Sequence, residues 1–335
     1  MAAKVAINGM GRIGRAALKI ILETPDLELV AINDLMDLDN LVYLLRYDTV
    51  YGRYNKPVAA GNGVLRVGSK EIKFLSERDP AKLPWKVMDI DIVFECTGVF
   101  TSQEGLTKHL DAGAKNVILS APIKGGGEVP MVVHCVNTPD ESCRIISTAS
   151  CTTNCIAPVM EILDRRVGVK KALMTTIHAY TSSQAIVDGP AKKYRRGRAG
   201  AANFVPTSTG AAKATAVALP QLKGKFDGLA VRGPVPVGSL VDIVVLVARP
   251  TTVEEINQIF KEESEGPRYK GVLGYAEDEI VSSDVIGDGR ASIFDPTGTI
   301  VVDGDLVKLL SWYDNEWGYT NQMIREAVRI VKECK

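Results

Sequence analysis

The sequence predicts an α/β protein of two domains, with a doubly wound parallel sheet in the N-terminal one. The chain has 335 residues, enough for two domains of ordinary size. In its first half, short apolar runs alternate with stretches of helical periodicity, which is the pattern of a parallel sheet covered by helices. A glycine-rich turn, residues 8–15, joins the first strand to the first helix.

The composition is that of an ordinary globular protein and argues against nucleic-acid-binding, membrane and secreted proteins. Hydrophobic residues make up 46% of the chain, and 40 basic residues balance 40 acidic ones. This balance gives no general attraction to nucleic acid or to an anionic membrane. No apolar run is long enough to span a bilayer, and the N-terminus lacks a signal-peptide layout. The six cysteines form no CxxC pair, so we expect reduced thiols in a cytoplasmic protein.

The first strand and helix surround a dinucleotide fingerprint. Val5–Ile7 is a short apolar strand, and Gly9, Gly11 and Gly14 follow with GxGxxG spacing. The first glycine allows a tight turn, the second lets the backbone approach a pyrophosphate, and the third lets helix and strand pack closely. The helix N-terminus offers free N–H groups to the phosphates. The arrangement predicts a dinucleotide-binding site.

The second strand, Leu29–Ile32, leads to an acidic residue that bears on which cofactor binds. Asp34 lies about 20 residues beyond the glycine loop, where a carboxylate accepts hydrogen bonds from ribose hydroxyls. A turn cap is the alternative role. The carboxylate would repel a 2′-phosphate and Leu35 adds no positive charge, so NAD is favoured over NADP. Arg46 and Arg53 are close in sequence and keep this a preference.

Further elements continue the alternation. Ile90–Cys96 and Val117–Ser120 are strand-like, with a helical pattern between them over about 102–112. Thr97 follows the first of these strands and Ser120 ends the second. Ligands bind at such strand ends in doubly wound sheets.

The stretch ASCTTNC, residues 149–155, precedes apolar residues at helical spacing. A helix is predicted to begin near Ser150 or Thr152, both good capping residues. Cys151 would then lie at a helix N-terminus, where the dipole and free N–H groups favour a thiolate. Buried packing is the alternative for Cys151, and it is the preferred interpretation of Cys155 one turn later.

One of the three histidines favours a catalytic role for Cys151. The strand-like run 173–181 contains His178, and a neutral imidazole beside Cys151 would make a nucleophile–base pair. Whether the two residues meet in space cannot be read from the sequence. His109 and His134 lack such a setting and are interpreted as surface or packing residues. No histidine is paired with the cysteines at ligand spacing, so no metal site is predicted.

The remaining elements belong to the second domain. Residues 252–266 form an amphipathic helical pattern, in which Thr252 and Glu255 are predicted to make a capping box. Strand-like runs occupy residues 229–249, where prolines interrupt them, and residues 303–316.

Taken together, eight motifs resemble those of the phosphorylating glyceraldehyde-3-phosphate dehydrogenase family. In chain order they are NGMGRIGR, AINDL, RYDTVYG, ASCTTNC, IHAYT, VDGP, PTSTGAAKA and SWYDNEWGY. The resemblance implies an N-terminal Rossmann domain, 1–149, that is completed by a C-terminal helix, 316–335. It implies an α+β catalytic domain with a largely antiparallel sheet over residues 150–315.

The resemblance also implies an activity. This is the NAD-dependent oxidative phosphorylation of D-glyceraldehyde 3-phosphate to 1,3-bisphosphoglycerate, in glycolysis or gluconeogenesis. Cys151 would form a hemithioacetal and then a thioester that inorganic phosphate cleaves, with His178 as the base. A cytoplasmic homotetramer is implied by the family alone, with no nucleic-acid or membrane partner.

The resemblance assigns binding residues by position. Those for NAD are Gly9, Gly11, Arg12, Ile13, Asp34, Arg78, Ser120 and Asn315. Those for the two phosphates are Ser150, Thr152, Thr181, Arg196, Thr209, Gly210 and Arg232. Arg196 lies in a basic cluster, 192–198, whose alternative role is a solvated loop or an intersubunit contact.

Some alternatives stay open. Erythrose-4-phosphate dehydrogenase shares most of these motifs. A cofactor-independent cysteine hydrolase or acyl transferase would also use Cys151 and His178, although the glycine fingerprint and Asp34 argue against it. VVHCVN, residues 132–137, departs from the family pattern, and the roles of His134 and Cys135 within it stay open.

Overall fold

The computed structural model describes residues 2–125, 128–140 and 142–333, and it divides into two compact units. The described residues of the first unit fall within 1–134, 139–149 and 323–335. Those of the second fall within 135–138 and 150–322. Cys334, expected to be a reduced thiol, and the last two residues of the predicted C-terminal helix lie outside the described residues.

The first unit is built on an eight-stranded sheet. Its strands are β1 (Ala3–Asn8), β2 (Leu27–Asn33), β5 (Val58–Gly61), β6 (Val64–Val67), β7 (Lys70–Leu75), β8 (Ile92–Glu95), β9 (Asn116–Leu119) and β10 (Ile145–Ser147). Two short strands, β3 (Tyr47–Asp48) and β4 (Gly52–Arg53), form a separate two-stranded ribbon. Its first three helices are α1 (Arg12–Ile21), α2 (Leu38–Arg46) and α3 (Gln103–Asp111).

The strand order is β10-β9-β8-β1-β2-β7-β6-β5. The pairs from β10 to β7 are parallel, and the last two pairs are antiparallel. Side chains alternate across β1, so that Val5 and Ile7 enter one apolar core and Ala6 enters the other. Leu18 and Ile21 of α1 join the first of these cores. The sheet is therefore buried on both faces, as a parallel sheet with crossover helices requires.

The second unit contains a seven-stranded sheet. Its strands are β11 (Val169–Ala179), β12 (Val205–Ser208), β13 (Phe226–Gly233), β14 (Ser239–Val247), β15 (Leu273–Tyr275), β16 (Ser292–Val302) and β17 (Leu306–Tyr313). Its helices are α4 (Cys151–Val167), α5 (Ala211–Ala218), α6 (Val253–Glu265) and the start of α7 (Trp317–Glu333), whose residues from Met323 belong to the first unit.

The order in this sheet is β12-β13-β11-β14-β17-β16-β15, and only the β13–β11 and β16–β15 pairs are parallel. Alternate residues of β14, among them Val241 and Ile243, pack against the apolar side of α4. Val244 points to the other face, where it is partly exposed. The predicted fold class, a parallel α/β domain followed by a domain with a largely antiparallel sheet, is confirmed.

The predicted capping box at the start of α6 forms in one direction only. The hydroxyl of Thr252 accepts a hydrogen bond from the backbone N–H of Glu255 at 3.2 Å. The Glu255 carboxylate does not turn back to the cap, because it accepts hydrogen bonds from Arg249 and from the Thr251 hydroxyl.

Candidate active site

Helix α4 begins where the sequence predicts it. Ser150 is the N-cap, and its hydroxyl accepts a hydrogen bond from the backbone N–H of Thr153 at 3.2 Å. Ala149, just before the cap, adopts a left-handed conformation with φ 58°. Such a conformation is strained for a residue other than glycine, and it marks a sharp turn into the helix. Cys151 is thereby the first residue of α4.

The structure brings Cys151 and His178 together. The sulfur lies 3.3 Å from Nε2 of the imidazole, which is within hydrogen-bonding reach for a thiol. His178 is the penultimate residue of β11, and the parallel register pairs it with Arg232 of β13. Neighbouring residues in register point to the same face, so a guanidinium lies beside the imidazole. Their catalytic roles stay predictions.

The other ring nitrogen of His178 has two partners. Nδ1 lies 2.7 Å from the carbonyl oxygen of Ala179 and 2.7 Å from Nη1 of Arg232. When Nδ1 carries the ring proton it donates to the carbonyl, and when it does not it accepts from the guanidinium. Nδ1 therefore has a hydrogen-bond partner in either neutral tautomer.

Burial controls the protonation of this pair. Burial is the largest cause, and together with the positive charge of Arg232 it lowers the pKa of His178 to about 3. Burial also raises the pKa of the Cys151 thiol, and it outweighs the opposing effects of the Arg232 charge and of the hydrogen bonds from Thr152. The N–H groups at the helix N-terminus favour the thiolate, as the sequence predicted, but burial outweighs them and favours the neutral thiol. A neutral thiol faces a neutral imidazole.

Tyr313 is a part of the site that sequence reasoning missed. Its hydroxyl lies 2.8 Å from Oγ1 of Thr152 and 3.0 Å from Oγ1 of Thr176. Its ring and the imidazole of His178 meet in a T-shaped arrangement, with centroids 6.0 Å apart. Tyr313 belongs to the SWYDNEWGY motif, which is among the motifs quoted from the sequence. An aromatic residue in an apolar strand, however, has no sequence pattern that distinguishes a site residue from a core residue.

Cys155 is a packed thiol, as predicted. It is fully buried, and its sulfur lies 3.5 Å from the hydroxyl oxygen of Ser292. Burial raises the pKa of the Cys155 thiol to about 12. The described cysteines, 96, 135, 143, 151 and 155, are all free thiols.

Two of the residues predicted to bind phosphate, Arg232 and Arg196, act on His178. Arg232 touches His178, and the charge of Arg196 also acts on the pKa of His178. Arg196 is held in place by a hydrogen bond from Nε to Oγ1 of Thr207 at 3.0 Å. Arg198 of the same cluster forms an ion pair with Asp188 and fits the surface role.

The neutral members of this set are placed as follows. Thr181 hydrogen-bonds Ser183 at 2.8 Å, and Thr209 accepts from the backbone N–H of Ala211 at the start of α5. Gly210 is the N-cap of that helix. Phosphate binding by these groups, and by Ser150 and Thr152 at the start of α4, stays a prediction.

In the first unit, the glycine loop is shaped for a dinucleotide. Gly9 has φ 97°, and a Cβ there would lie 2.6 Å from the backbone nitrogen of Thr97. A Cβ at Gly14 would lie 1.9 Å from the carbonyl oxygen of Gly9. Beside Gly11 the space is open, and no side chain caps α1. The residues therefore fit a pyrophosphate at the helix N-terminus.

The other NAD residues lie at strand ends. The two carboxylate oxygens of Asp34 accept the backbone N–H groups of Met10 at 2.6 Å and Met36 at 2.9 Å. Each oxygen keeps a further lone pair for a ribose hydroxyl. Arg12 forms a 2.5 Å ion pair with Asp48 at the start of α1.

The sequence assigned four further residues to NAD. Ile13 is the second residue of α1, and Ser120 follows β9. Arg78 follows β7 by three residues. In the second unit, Oδ1 of Asn315 accepts hydrogen bonds from Ser239 at 2.9 Å and from the Gly238 N–H at 3.2 Å, which orients its amide.

Comparison with known proteins identifies the family. Residues 3–103 match the model described as "Glyceraldehyde 3-phosphate dehydrogenase, NAD binding domain", and residues 150–315 match its C-terminal domain. The glyceraldehyde-3-phosphate dehydrogenase of Streptomyces coelicolor is 49% identical over 326 residues, 97% of each chain. The chain belongs to the glyceraldehyde 3-phosphate dehydrogenase family. The enzymes so named in Clostridium pasteurianum (49% over 339 residues) and, as number 1, in Bacillus subtilis (47% over 336) cover 99% of each chain.

Membership of the glyceraldehyde 3-phosphate dehydrogenase family confirms the resemblance and the prediction of NAD as cofactor. Among the described residues, no group of three His, Cys, Asp or Glu side chains could hold a metal ion. Over the same ranges, the helices are all too short or too polar to cross a membrane.

Proposed function

We propose that this chain catalyses the NAD-dependent conversion of D-glyceraldehyde 3-phosphate and inorganic phosphate to 1,3-bisphosphoglycerate, with Cys151 as nucleophile and His178 as base. This is a reaction of glycolysis and gluconeogenesis. The main observation behind the proposal is the 3.3 Å distance between the sulfur of Cys151, at the N-terminus of α4, and Nε2 of His178. It occurs in a chain whose relatives bear this enzyme name over almost their whole length.

The first step is addition to the aldehyde. His178 takes the thiol proton on Nε2 while the sulfur of Cys151 bonds to the aldehyde carbon, and the carbonyl oxygen becomes an oxyanion. The backbone N–H of Cys151 helps to hold that charge. The imidazole then returns its proton to the oxygen, which completes the hemithioacetal. Nδ1 carries the other ring proton during this transfer and donates it to the carbonyl oxygen of Ala179, so it keeps its partner while Nε2 gains and loses a proton.

The second step is oxidation. His178 removes the hemithioacetal proton as the carbon loses hydride, and a thioester remains on Cys151. When bound, NAD supplies the acceptor for that hydride. The thioester retains much of the free energy of oxidation, and attack by inorganic phosphate releases the acyl phosphate. The leaving sulfur recovers its proton from His178.

Two anionic groups have to be bound during this sequence. Arg232 and Arg196 supply fixed positive charge close to His178. The hydroxyls of Thr152, Thr181 and Thr209 supply neutral donors, with Ser150 and the Gly210 N–H completing the set that we propose for the two phosphates.

Formation of NADH by the purified protein tests the proposal. We expect NADH to form with D-glyceraldehyde 3-phosphate, NAD and phosphate, and product formation to stop when phosphate is left out. A higher kcat/KM for erythrose 4-phosphate would assign the protein to the related dehydrogenase. Turnover that persists after complete removal of NAD would point instead to a cofactor-independent acyl transferase.

We further propose a cytoplasmic homotetramer. The sheet face of the second unit that lies opposite α4 exposes Leu173, Leu229, Val244 and Leu306, and it borders a groove of about 1030 Å³. Apolar faces of this kind mark protein–protein contacts. Sedimentation should give four times the chain mass. Leu173→Asp should lower that mass, whereas Val87→Asp, at a highly exposed site of the first unit, should leave it unchanged.

A further inference from the structure

We infer that a buried hydrogen-bond network at the ends of β8, β1 and β2 holds the dinucleotide-binding segments of the first unit in place, with Glu95 and His109 as positioning residues. The inference rests on the proposed function, since it concerns how the chain binds NAD. His109 was interpreted from the sequence as a surface or packing residue. It is fully buried and hydrogen-bonded through both ring nitrogens.

Glu95 is the centre of the network. Its side chain is fully buried at the end of β8. Oε2 accepts from Nδ2 of Asn8 at 2.6 Å and lies 3.0 Å from Nε2 of His109. Oε1 accepts the backbone N–H of Thr97 at 2.8 Å and also the Thr97 hydroxyl. All of these partners can act as donors, which is the arrangement that stabilises a buried carboxylate.

Trp85 determines the tautomer of His109. The indole Nε1–H donates to Nδ1 of the imidazole at 3.0 Å, and both side chains are fully buried. An indole nitrogen can only donate, so Nδ1 carries no proton. The proton of the neutral ring therefore sits on Nε2 and is donated to Glu95. The tryptophan thus orients the histidine, and the histidine orients the carboxylate.

The network continues across the sheet on the other side. Oδ1 of Asn8, at the end of β1, accepts from Nδ2 of Asn33 at the end of β2, at 2.7 Å. Asn33 also exchanges two hydrogen bonds of 2.8 Å with the backbone of Glu77. Three adjacent parallel strands and the loop after β7 are joined by buried side chains.

Three members of the network are sequence neighbours of residues assigned to NAD. The sequence neighbours are Asn8 with Gly9, Asn33 with Asp34, and Glu77 with Arg78. Thr97, held twice by Glu95, packs so closely against Gly9 that a Cβ there would lie 2.6 Å from its nitrogen. A displacement of Glu95 would therefore move Thr97, and with it the glycine loop that packs against Thr97. Binding sites of this kind depend on such supporting groups.

The test is NAD binding by variants of His109. His109→Leu removes both hydrogen bonds, and we expect it to raise the Kd for NAD about tenfold, which is about 1.4 kcal/mol. The KM for NAD should rise in parallel, while kcat at saturating NAD stays within about twofold of wild type. His109→Gln can accept from Trp85 and donate to Glu95, so it should restore most of the affinity.

A matched control separates positioning from packing. Leu106 lies one turn earlier in α3, is fully buried, and packs in an apolar cluster with Val117 and Leu119. Leu106→Ala should lower the thermal midpoint and leave the Kd for NAD unchanged. The inference is overturned if His109→Leu binds NAD as tightly as wild type, or if Leu106→Ala weakens binding equally.

Two further outcomes keep the test decisive. If His109→Leu does not fold, Trp85→Phe removes only the indole donor and should raise the Kd about threefold, or about 0.7 kcal/mol; an unchanged Kd would contradict the inference. A wild-type protein that bound no NAD in the same titration would instead contradict the proposed function.

Discussion

Nε2 of His178 lies 3.3 Å from the sulfur of Cys151, and the same imidazole lies 2.7 Å from Arg232 through its other nitrogen. A fixed positive charge beside the ring opposes the imidazolium, so the histidine is available as an unprotonated base. The thiol, whose pKa burial raises, depends on that base for its activation.

Cys151→Ser tests the nucleophile. We expect it to reduce oxidation of D-glyceraldehyde 3-phosphate by roughly 10³-fold or more, because a serine hydroxyl is a much weaker nucleophile in this setting. NAD binding, measured by titration, should stay close to wild type. The matched control is Cys155→Ala, one turn deeper in α4, which should keep its activity and lose about 1 kcal/mol of stability. Oxidation at the wild-type rate by the serine variant would refute the assignment of Cys151.

His178→Asn tests the pH dependence of stability. The pKa of His178 is about 3 in the folded chain and near 6.5 in the unfolded one, so between these values the unfolded state binds more protons. The stability that the neutral imidazole contributes is therefore complete above about pH 6.5 and is lost as the pH falls towards 3. At pH 5 the loss amounts to about 2 kcal/mol.

The asparagine variant lacks this linkage. Urea midpoints of wild type and His178→Asn, measured from pH 7 to pH 4.5, should therefore converge or cross as the pH falls. Parallel curves over this range would show that the folded protein holds His178 with an ordinary pKa. The variant should also lower kcat by roughly 10²–10⁴-fold, the usual contribution of a general base.

Tyr313→Phe tests the hydroxyl that joins Thr152 and Thr176. The Thr152 side chain hydrogen-bonds the sulfur of Cys151 and lowers the pKa of the thiol. Removing the phenol hydroxyl frees Thr152 to rotate, so we expect the thiol pKa to rise. Alkylation of Cys151 by iodoacetamide at pH 7 should slow about threefold.

The control for this variant is a second buried tyrosine in the same unit. The hydroxyl of Tyr269 donates to Glu161 at 2.8 Å, so Tyr269→Phe also removes a buried hydrogen bond. Both variants should lose about 1–3 kcal/mol of stability. Only Tyr313→Phe should slow alkylation, and equal rates in the two variants would contradict the role of Tyr313.

Local signals account for what the sequence predicted well. The spacing of Gly9 and Gly14, the cap at Ser150 and the apolar periodicity of α4 are each read within a few residues, and each places an element correctly. The position of Asp34 at the end of β2 follows from the same kind of local pattern.

What the sequence could not provide depends on distant pairings. Arg232 reaches His178 because β11 and β13 are parallel neighbours, although the two residues are 54 positions apart. The fully buried Glu95–His109 contact likewise joins the end of β8 to α3. The raised pKa of Cys151 arises from the surrounding protein, whereas the sequence revealed only the helix N-terminus that opposes it.

Asp34→Asn tests the preference for NAD. The carboxylate is held at the end of β2 by the N–H groups of Met10 and Met36. An acidic residue at this position of a dinucleotide fold would repel the 2′-phosphate of NADP. An asparagine keeps the shape but removes the charge and one acceptor. We expect kcat/KM for NAD to fall about tenfold and that for NADP to rise, so that the NAD/NADP ratio falls by more than tenfold.

Asp37→Asn provides the matched charge change. Asp37 caps α2 by accepting the Asp39 N–H at 2.8 Å, and asparagine caps a helix equally well. This variant removes one negative charge three residues away, so it controls for the general electrostatic field of the segment. Its NAD/NADP ratio should match wild type. If both variants changed the ratio equally, the discrimination would come from net charge near the site rather than from the carboxylate of Asp34.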